Sequence, residues 1–291
     1  MSGRTERRKG ANRRARGTPE TAMILVSDLG NSRIKWGRVA YGASDGEALE
    51  QHEGIRYGEE GLEHSLEEAW GTLETPRAVV YCAVAPESVV SELVHYVSSR
   101  WGLRAHRLAP TAQAYGVTCA YDEPRQLGAD RWASLAAARA ISPDRGVIIV
   151  DAGTAITVDC LTADGVHVGG VILPGVRLMR RALGEGTARI GSVGGGEVNL
   201  KTHNTASAVA TGTVLGAAAA VDRIVADYTA LAGDNARLLI CGGEGELLCE
   251  HTATRFELIP DLVLRGLCIV ARALINGTDT RPAVSVGGTI R

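Results

Sequence analysis

One strand-and-turn signature occurs twice in this chain. The first copy covers residues 23–35 (MILVSDLGNSRIK) and the second covers residues 147–157 (VIIVDAGTAIT). In each copy a short apolar run ends in a carboxylate, Asp28 or Asp151, and a glycine with a small polar residue turns the chain into a second apolar strand. A carboxylate beside such a turn can hold a hydrated cation while the N–H groups of the turn face phosphate oxygens. The repeat therefore predicts two related halves that close on one nucleotide.

The length and composition permit two domains of ordinary size. The chain has 291 residues, of which 45% are apolar with a single Phe, so its core must consist mainly of Ala, Val, Leu and Ile. A cluster of breakers, SPDRG at residues 142–146, precedes the second copy of the signature and predicts a domain boundary. The predicted division is residues 23–143 for an N-terminal domain, 144–276 for a C-terminal domain and 277–291 for a tail.

Residues 1–22 are basic and almost free of apolar side chains. They hold seven Arg or Lys and two Glu, which gives about +5 and leaves about −7 for the rest of a chain whose net charge is −2. This composition predicts a disordered extension. The alternative is an arm for nucleic acid or a membrane surface, but it has no aromatic residue to stack on bases. The mildly acidic charge of the remainder argues against binding of nucleic acid over a broad surface.

Hydrophobicity and cysteine usage bear on the location of the protein. The sequence shows no apolar run that approaches the ~20 residues needed to span a bilayer, and residues 1–22 contain no apolar core of a signal peptide. The six cysteines form no C-x-x-C pair, and several fall in apolar segments. That pattern is typical of buried thiols in a reducing compartment, not of zinc ligands or disulfides. We therefore expect a cytoplasmic protein without a membrane partner.

The hydrophobic pattern predicts alternating strands and helices, as in a layered α/β fold. After the first hairpin comes a polar and glycine-rich stretch to about Gly61, for which no helix or strand is predicted, and residues 184–204 are predicted to form a loop. The predicted helices cover residues 62–70, 86–101, 128–141, 205–231 and 260–275. The predicted strands beyond the first hairpin cover residues 77–85, 147–151 with a partner strand to 161, 166–173 and 237–241.

The first turn combines groups that suit a nucleoside triphosphate. Gly30 lets the backbone approach a phosphate, and Asn31 and Ser32 add hydrogen-bond donors. Asp28 can bind a metal through water, and Lys35 can neutralise phosphate charge. The alternative is an ordinary hairpin turn in which Asp28 and Asn31 cap their own backbone. Recurrence of the motif in the second half favours the functional interpretation.

The second turn and a later strand extend this pattern. Asp151 and Thr154 place a carboxylate and a hydroxyl at the matching strand end, and a further apolar strand ends in Gly242-Gly243, where an adenine ring can lie against backbone. Two phosphate turns followed by a strand with two glycines resemble the superfamily of acetate and sugar kinases, Hsp70 and actin. The resemblance implies an α/β fold of two ribonuclease H-like domains, a duplicated actin-like ATPase fold, with a nucleotide cleft between them.

The segment between the two turns, residues 121–132 (YDEPRQLGADRW), carries a candidate base. Gly128 opens the backbone, Asp130 can accept a proton from a substrate hydroxyl, and Arg131 can pair with a carboxylate in bidentate geometry. The alternative is structural, because the helix dipole favours a carboxylate in the first turn of a helix whatever the activity. These residues alone leave both interpretations open.

Six motifs in sequence order make the resemblance more specific. They are DxGNS at residue 28, YxxPxxLGxDRW at 121, DxGTAxTxD at 151, GGVILPG at 169, Asn204-Thr205 before a long helix, and PDLVLRGL at 260. Together they look like the type III pantothenate kinases. The resemblance implies phosphorylation of pantothenate by ATP, the first step toward coenzyme A.

The same resemblance assigns roles to individual residues. Asp130 would be the general base that deprotonates the primary hydroxyl of pantothenate. The pantothenate pocket would be lined by Tyr121, Gly128, Ala129, Asp130, Arg131 and Thr205. The ATP phosphates would be held by Asp28, Leu29, Gly30, Asn31, Ser32, Arg33, Ile34 and Lys35, with a hydroxyl from Thr154. Asp151 would bind a monovalent cation, K⁺ or NH₄⁺, Mg²⁺ would accompany ATP, and the active form would be a homodimer that shares residues across its interface.

A few residues depart from the family pattern. Ser32 stands where many members have Thr, which keeps the hydroxyl, whereas His203 stands where glycine is expected and is interpreted as a solvated loop residue. Residues 188–196 lack an expected Leu-Pro, which leaves the conformation of the loop before Thr205 open. Glu244 and Glu246, after the paired glycines, are predicted to face solvent.

Two other functions compete with this interpretation. One is a kinase or phosphatase of the same superfamily with another acceptor, which the acceptor segment 121–131 argues against. The other is a non-catalytic regulatory homologue, in which one of the functional carboxylates should be missing. Asp28, Asp130 and Asp151 are all present, as is Lys35.

Overall fold

The computed structural model describes residues 23–31, 33–41, 49–57, 61–191 and 196–277. The predicted disordered extension (1–22), Ser32 and the tail beyond residue 277 lie outside these described residues.

The first half of the chain forms a five-stranded sheet. Its strands are β1 (Met23–Leu29), β2 (Arg33–Ala40), β3 (Glu50–Arg56), β4 (Ala78–Ala83) and β5 (Ala105–Arg107), in the order β3-β2-β1-β4-β5. The first three strands are antiparallel, and β4 and β5 run parallel to β1. β3 was not predicted, because it falls in the polar and glycine-rich stretch before Gly61. Polar residues suit this strand because it lies at the sheet edge, bonded to β2 alone.

The second half repeats the first sheet. Its strands are β8 (Val147–Ala152), β9 (Ala155–Leu161), β10 (His167–Pro174), β11 (Arg237–Cys241) and β12 (Glu257–Leu258), in the order β10-β9-β8-β11-β12. The directions also match, with an antiparallel hairpin followed by two parallel strands. A small hairpin, β6 (Gln113–Ala114) with β7 (Val117–Thr118), lies between the sheets in sequence. The expected duplicated ribonuclease H-like fold is confirmed.

Seven helices cover the two sheets in the described part of the chain. They are α1 (Leu62–Trp70), α2 (Glu87–Trp101), α3 (Ala129–Ile141), α4 (Val176–Gly186), α5 (Thr205–Ala232), α6 (Gly245–His251) and α7 (Leu262–Ile275). The five predicted helices are confirmed. The short helices α4 and α6 were not predicted, and α4 extends into the first residues of the loop expected at 184–204.

The elements stack in five layers. α1 and α2 cover the outer face of the first sheet, α3 and α7 lie between the two sheets, and α5 and α6 cover the outer face of the second sheet. In β1, Ile24 and Val26 face the middle layer and Leu25 faces α1 and α2. In β8, Ile149 faces the middle layer and Ile148 faces α5. The alternation of strand side chains thus buries both faces of each sheet, as expected for continuous apolar strands.

The middle helices connect the two halves. α3 contacts β4 of the first sheet and β8 and β9 of the second, and α7 packs against α3, β1 and β4. An added Cβ at Gly266 of α7 would lie 1.9 Å from the carbonyl oxygen of Ala133 in α3, so glycine is needed for this close crossing. The boundary between residues 143 and 144 stays a prediction.

Helix α5 corrects one expectation about hydrophobicity. Among the described residues it is the one helix long and apolar enough to cross a membrane by length and composition, although no such run was expected from the sequence. Half of its most apolar window is buried, because α5 packs on β8, β9, α4 and α6. Its hydrophobicity is therefore explained by its place over the second sheet. All six cysteines are free thiols, and four of them are buried.

Candidate active site

Asp28 lies at the end of β1 among groups supplied by both neighbouring strands. It is opposite Lys35 of β2 and beside Cys82 of β4. The thiol of Cys82 donates to Oδ1 of Asp28 over 3.3 Å. Burial raises the pKa of Asp28 to about 6, Lys35 opposes the rise, and the charges of Asp130 and Asp151 add to it. The predicted phosphate turn therefore begins with a buried carboxylate whose ionised form is favoured by Lys35 and by the thiol of Cys82.

The turn after Asp28 is closed by its own backbone and by a residue that follows β3. The N–H of Gly30 donates to the carbonyl of Arg33 over 3.1 Å, and the hydroxyl of Tyr57 donates to the carbonyl of Gly30. Burial, and secondarily the charge of Asp28, raises the pKa of Tyr57 to about 12, so this hydroxyl stays a donor. Tyr57 was missed from the sequence because β3 was not predicted.

The other residues predicted to hold the ATP phosphates divide into two groups. Asn31 and Arg33 are exposed, whereas the side chains of Leu29 and Ile34 are fully buried in the core. Leu29 and Ile34 can therefore offer only backbone groups to a ligand.

Asp151 repeats the arrangement of Asp28 in the second sheet. It lies opposite Thr157 of β9 and beside Cys241 of β11, whose thiol is hydrogen-bonded to it. Burial raises its pKa, Lys35 lowers it, and Asp130 raises it again. Thr154, in the turn, is exposed, and its carbonyl accepts from the N–H of Gly175 over 2.9 Å.

Asp28, Lys35, Asp130 and Asp151 form one charged cluster, although they come from both sheets and from α3. Each carboxylate is close enough to influence the pKa of at least one other. Carboxylate oxygens suit Mg²⁺ and other hard cations. Within the described ranges, however, no three His, Cys, Asp or Glu side chains form a ready metal site. A cation would fit this cluster only with further oxygens from water or phosphate, as expected for a metal that arrives with ATP.

Asp130 lies in the first turn of α3, as predicted, and its carboxylate folds back over Gly128. Its Oδ1 accepts from the backbone N–H of Arg131 over 2.8 Å. A Cβ at Gly128 would lie 2.5 Å from this oxygen, so a larger residue there would displace the carboxylate. Asp130 remains partly exposed, which leaves it accessible to a substrate.

Arg131 is held by two residues that bracket its guanidinium. It is 6% exposed, and its Nε and Nη2 donate to the two carboxylate oxygens of Asp159 over 2.9 and 2.6 Å. Its Nη1 donates to the hydroxyl of Tyr121 over 3.0 Å. The bidentate carboxylate partner expected for Arg131 is therefore Asp159 in this structure. Asp159 was missed as a site residue, although it is the last residue of the DxGTAxTxD motif.

Comparisons with known proteins identify the family. A family model described as type III pantothenate kinase matches residues 24–227. A type III pantothenate kinase of Nitrosococcus oceani is 34% identical over 255 residues, which cover 86% of this chain and 94% of the relative. Another, of Halorhodospira halophila, is 38% identical over 245 residues, which cover 84% and 96% of the two chains. This chain belongs to the type III pantothenate kinase family.

A solved structure supports the fold of this family member. A conserved protein of Campylobacter jejuni, described as a Baf family transcriptional activator, superposes with a TM-score of 0.51 and 20% identity. The match covers 87% of this chain and 99% of that chain. At this identity the likeness bears on the fold alone.

Thr205 stands apart from the other residues predicted for the pantothenate pocket. It is exposed at the start of α5, where Oδ1 of Asn204 caps the helix by accepting from the N–H of Ser207 over 2.8 Å. In the part of the chain that the structure describes, no group is hydrogen-bonded to the side chain of Thr205. His203 is exposed, in agreement with its interpretation as a loop residue.

The segment after β11 places one of its two glutamates in the interior. Glu244 was predicted to face solvent, but it is 6% exposed and accepts from the N–H groups of Val176 and Arg177 over 3.0 and 3.3 Å. It therefore caps the start of α4, where unpaired N–H groups favour a carboxylate. Glu246 is exposed, as predicted.

The paired glycines before Glu244 have different surroundings. Gly242 adopts φ 90°, and a Cβ on it would lie 2.4 Å from the carbonyl oxygen of Ala152. A Cβ on Gly243 would meet nothing within 4 Å. Gly242 is therefore required by packing against the second turn, whereas the space beside Gly243 is open.

Proposed function

We propose that this chain transfers the γ-phosphoryl group of ATP to pantothenate and that Asp130 is the general base. Membership of the type III pantothenate kinase family supports the overall reaction. The observation that carries the assignment is the charged cluster, in which Asp130 stands with Asp28, Lys35 and Asp151. A carboxylate near both the proposed phosphate turn and an arginine suited to an acidic substrate can accept the proton of the attacking hydroxyl.

The proposed chemistry is an in-line phosphoryl transfer. The Asp130 carboxylate accepts the proton of the primary hydroxyl as its oxygen bonds to the γ-phosphorus, and the bond from phosphorus to the bridging oxygen of ADP breaks. Positioning and charge neutralisation provide most of the catalysis in such reactions. Gly128 helps to position the base, because its lack of a side chain provides the space in which the Asp130 carboxylate lies.

The Asp28 turn is proposed to hold the ATP phosphates. Gly30 and its neighbours offer backbone N–H groups, and Lys35 offers a positive charge on the strand opposite Asp28. Thr154 would add a hydroxyl from the second turn. Mg²⁺, which accompanies ATP in kinases, would be held near Asp28 and would neutralise charge on the phosphates.

Asp151 is proposed to hold a monovalent cation, K⁺ or NH₄⁺. Its pKa is raised mainly by burial and further by the charge of Asp130, so an added positive charge would stabilise its ionised form. Few protein ligands are needed when water and phosphate oxygens complete the coordination.

A homodimer would place Thr205 in a pantothenate pocket. Thr205 is exposed, and large apolar side chains are exposed on the same half of the chain, notably Ile172 at 63% and Leu200 at 82%. Exposed apolar side chains favour a protein interface where they form a contiguous patch. We propose that Thr205 completes the pocket of the partner subunit and that the dimer is cytoplasmic.

Two alternatives make different predictions. A kinase or phosphatase with another acceptor would turn over ATP without pantothenate. A regulatory homologue would bind ATP without turnover, but the retained cluster of Asp28, Lys35, Asp130 and Asp151 supports catalysis.

The central test is Asp130→Asn in an assay of ADP release with pantothenate as acceptor, in potassium and in sodium buffer. Loss of the base should lower kcat about 10²- to 10⁴-fold, while ATP and pantothenate still bind by calorimetry. Asp122→Asn is the matched control, since Asp122 is exposed in the same segment. Full activity of Asp130→Asn, or turnover of the wild type without pantothenate, would contradict the proposal.

The shared pocket can be tested by mixing two impaired variants. Asp130→Asn lacks the base and Thr205→Val lacks the proposed contact, so each homodimer should be weak at low pantothenate concentration. After subunit exchange, mixed dimers hold one intact site, and activity should recover to about a quarter of the wild-type value. No recovery in a mixture that light scattering confirms as dimeric would place Thr205 in its own subunit's site or outside any site.

A further inference from the structure

We propose that Asp159 and His167 are positioning residues that hold Arg131 in the orientation that receives the carboxylate of pantothenate. The inference rests on the proposed role of Arg131 in the pantothenate pocket. Neither Asp159 nor His167 was among the predicted site residues, and both act here through Arg131 rather than on the substrate.

Asp159 is the centre of a closed hydrogen-bond network. Its Oδ2 accepts from Nε of Arg131 over 2.9 Å, and its Oδ1 accepts from Nη2 of Arg131 over 2.6 Å. Its Oδ1 also lies 2.8 Å from Nε2 of His167. Because a carboxylate accepts hydrogen bonds, Nε2 of His167 must carry the proton. Three donors from α3 and β10 therefore fix one carboxylate on β9.

The network is buried, so the orientations of its side chains are restrained. Asp159 is 3% exposed and His167 is fully buried. Burial alone would lower the pKa of Arg131, but the hydrogen bonds and charge of Asp159, together with Tyr121, raise it above its ordinary value. A buried ion pair that loses one partner leaves an uncompensated charge, so the pair resists rearrangement.

The strand backbone is shaped to admit this pair. Gly170 of β10 lies directly opposite Asp159 in the sheet. A Cβ there would lie 2.2 Å from Nη2 of Arg131 and 2.3 Å from Oδ1 of Asp159. A glycine at this position therefore leaves space that the guanidinium and carboxylate occupy.

Tyr121 completes the orientation on the other side of the guanidinium. Its hydroxyl accepts from Nη1 of Arg131, and its ring stacks on His167 with centroids 6.2 Å apart and planes 14° apart. His167 thus contacts both residues that hold the guanidinium. These are Asp159, which accepts from Nε and Nη2, and Tyr121, which accepts from Nη1. Nη1 and Nη2 each carry two N–H groups, of which one donates to Tyr121 or to Asp159. The second N–H group of each nitrogen is left for a substrate carboxylate.

One polar atom of the network has no partner. Nδ1 of His167 is buried without a hydrogen bond to any group in the described part of the chain. Leaving a buried polar atom unpaired is unfavourable. A phenylalanine at this position would avoid the penalty but could not donate to Asp159. The hydrogen bond from Nε2 to Asp159 is therefore what a histidine adds here.

The first test compares Asp159→Asn with the exposed control Asp164→Asn, which lies in the adjacent turn. Because hydrogen bonds to charged groups are involved, Asp159→Asn should raise the KM for pantothenate about 10- to 100-fold. The KM for ATP should stay within about twofold, since the network does not include the Asp28 turn. Asp159→Asn should also lower the preference for pantothenate over panthenol, in which an alcohol replaces the carboxylate. An unchanged or lowered KM for pantothenate, or an unchanged preference, overturns the inference.

The second test uses His167 and does not depend on the stability of Asp159→Asn. His167→Phe keeps the ring but loses the donor, and should raise the KM for pantothenate about two- to tenfold. His167→Gln can still donate to Asp159 and should restore the KM to near the wild-type value. Equal effects of Phe and Gln, or parallel losses in kcat and in both KM values, would indicate a merely structural role and overturn the inference. If the wild type does not phosphorylate pantothenate, the proposed function fails instead.

Discussion

The two sheets end in nearly the same arrangement, and one residue distinguishes them. Asp28 and Asp151 occupy corresponding strand ends, and each accepts a hydrogen bond from a thiol on the next parallel strand, Cys82 or Cys241. Across the hairpin, however, Asp28 faces Lys35 whereas Asp151 faces Thr157. The duplicated backbone therefore pairs one carboxylate of the cluster with a lysine across its hairpin and the other with a threonine.

This difference suggests how a duplicated fold separates two tasks. Lys35 lowers the pKa of both carboxylates, but it is paired in register with Asp28 alone. A strand end with a lysine suits phosphate oxygens, and a strand end with a threonine and a carboxylate suits a cation. Three comparisons between matched variants test this separation.

The largest expected effect is the loss of activity in Asp28→Asn, about 10²- to 10³-fold in kcat/KM for ATP. The same substitution should stabilise the unliganded protein. Because the pKa of Asp28 rises from 3.8 unfolded to about 6 folded, ionisation opposes folding. This cost to the free energy of folding grows between about pH 4 and pH 6, and above pH 6 it stays constant at about 3 kcal/mol or less. Thermal unfolding at pH 8 should show the gain in Tm, and unfolding near pH 4 should show it shrink.

Asp151→Asn is the counterpart in that comparison. It should also stabilise the unliganded protein, because burial raises the pKa of Asp151. Its distinguishing effect should be a ratio of activities in potassium and sodium buffer that approaches one, whereas Asp28→Asn should keep whatever ratio the wild type has. Identical cation dependence in the two variants would contradict the separation of tasks.

A smaller effect is expected for Lys35→Met. Loss of the positive charge that faces the ATP phosphates should raise the KM for ATP about tenfold. Because Lys35 lowers the pKa of Asp28, the acid limb of kcat/KM for ATP, expected near pH 6, should also move to higher pH. Thr157→Val, at the matched position of the second hairpin, should do neither. Equal responses of the two variants in a pH series of initial rates would remove the distinction.

The smallest effect is expected for the thiols. The Cys82 hydrogen bond lowers the pKa of Asp28, so Cys82→Ala should move the acid limb of kcat/KM for ATP upward by less than about one pH unit. Cys241→Ala should leave this limb unchanged, since its thiol contacts Asp151. Cys160→Ala, which removes a buried thiol from the same sheet as Cys241, controls for lost packing. A shift of equal size in all three variants would point to packing alone.

Most of the strands and turns that hold the two carboxylates could be predicted from the sequence, because the signals for them are local. Each carboxylate, its glycine and its return strand lie within one hairpin, where hydrophobic alternation and turn residues are readable. Prediction failed at β3, whose polar residues are stabilised by pairing with β2 at the sheet edge. Without β3, nothing indicated that Tyr57 would support the Gly30 turn.

The candidate site was predicted only in part, for a different reason. Asp130 and Arg131 were proposed from their motif, but the network that holds Arg131 comes from separate strands, with Asp159 on β9 and His167 on β10. Which carboxylate meets an arginine depends on strand register and packing, and no local pattern encodes it. Glu244 shows the same limit, because its partners at the start of α4 lie 67 and 68 residues away in the chain.

The position of α7 has a consequence for biosynthesis. This helix is the last in the described chain, yet it covers the face of the first sheet that contains Ile24 and Val26. During translation, the first sheet leaves the ribosome long before its cover is made, so an apolar surface stays open while the second half is synthesised. We therefore expect the nascent first half to need protection by a holding chaperone, and a chain that stalls before residue 262 to aggregate.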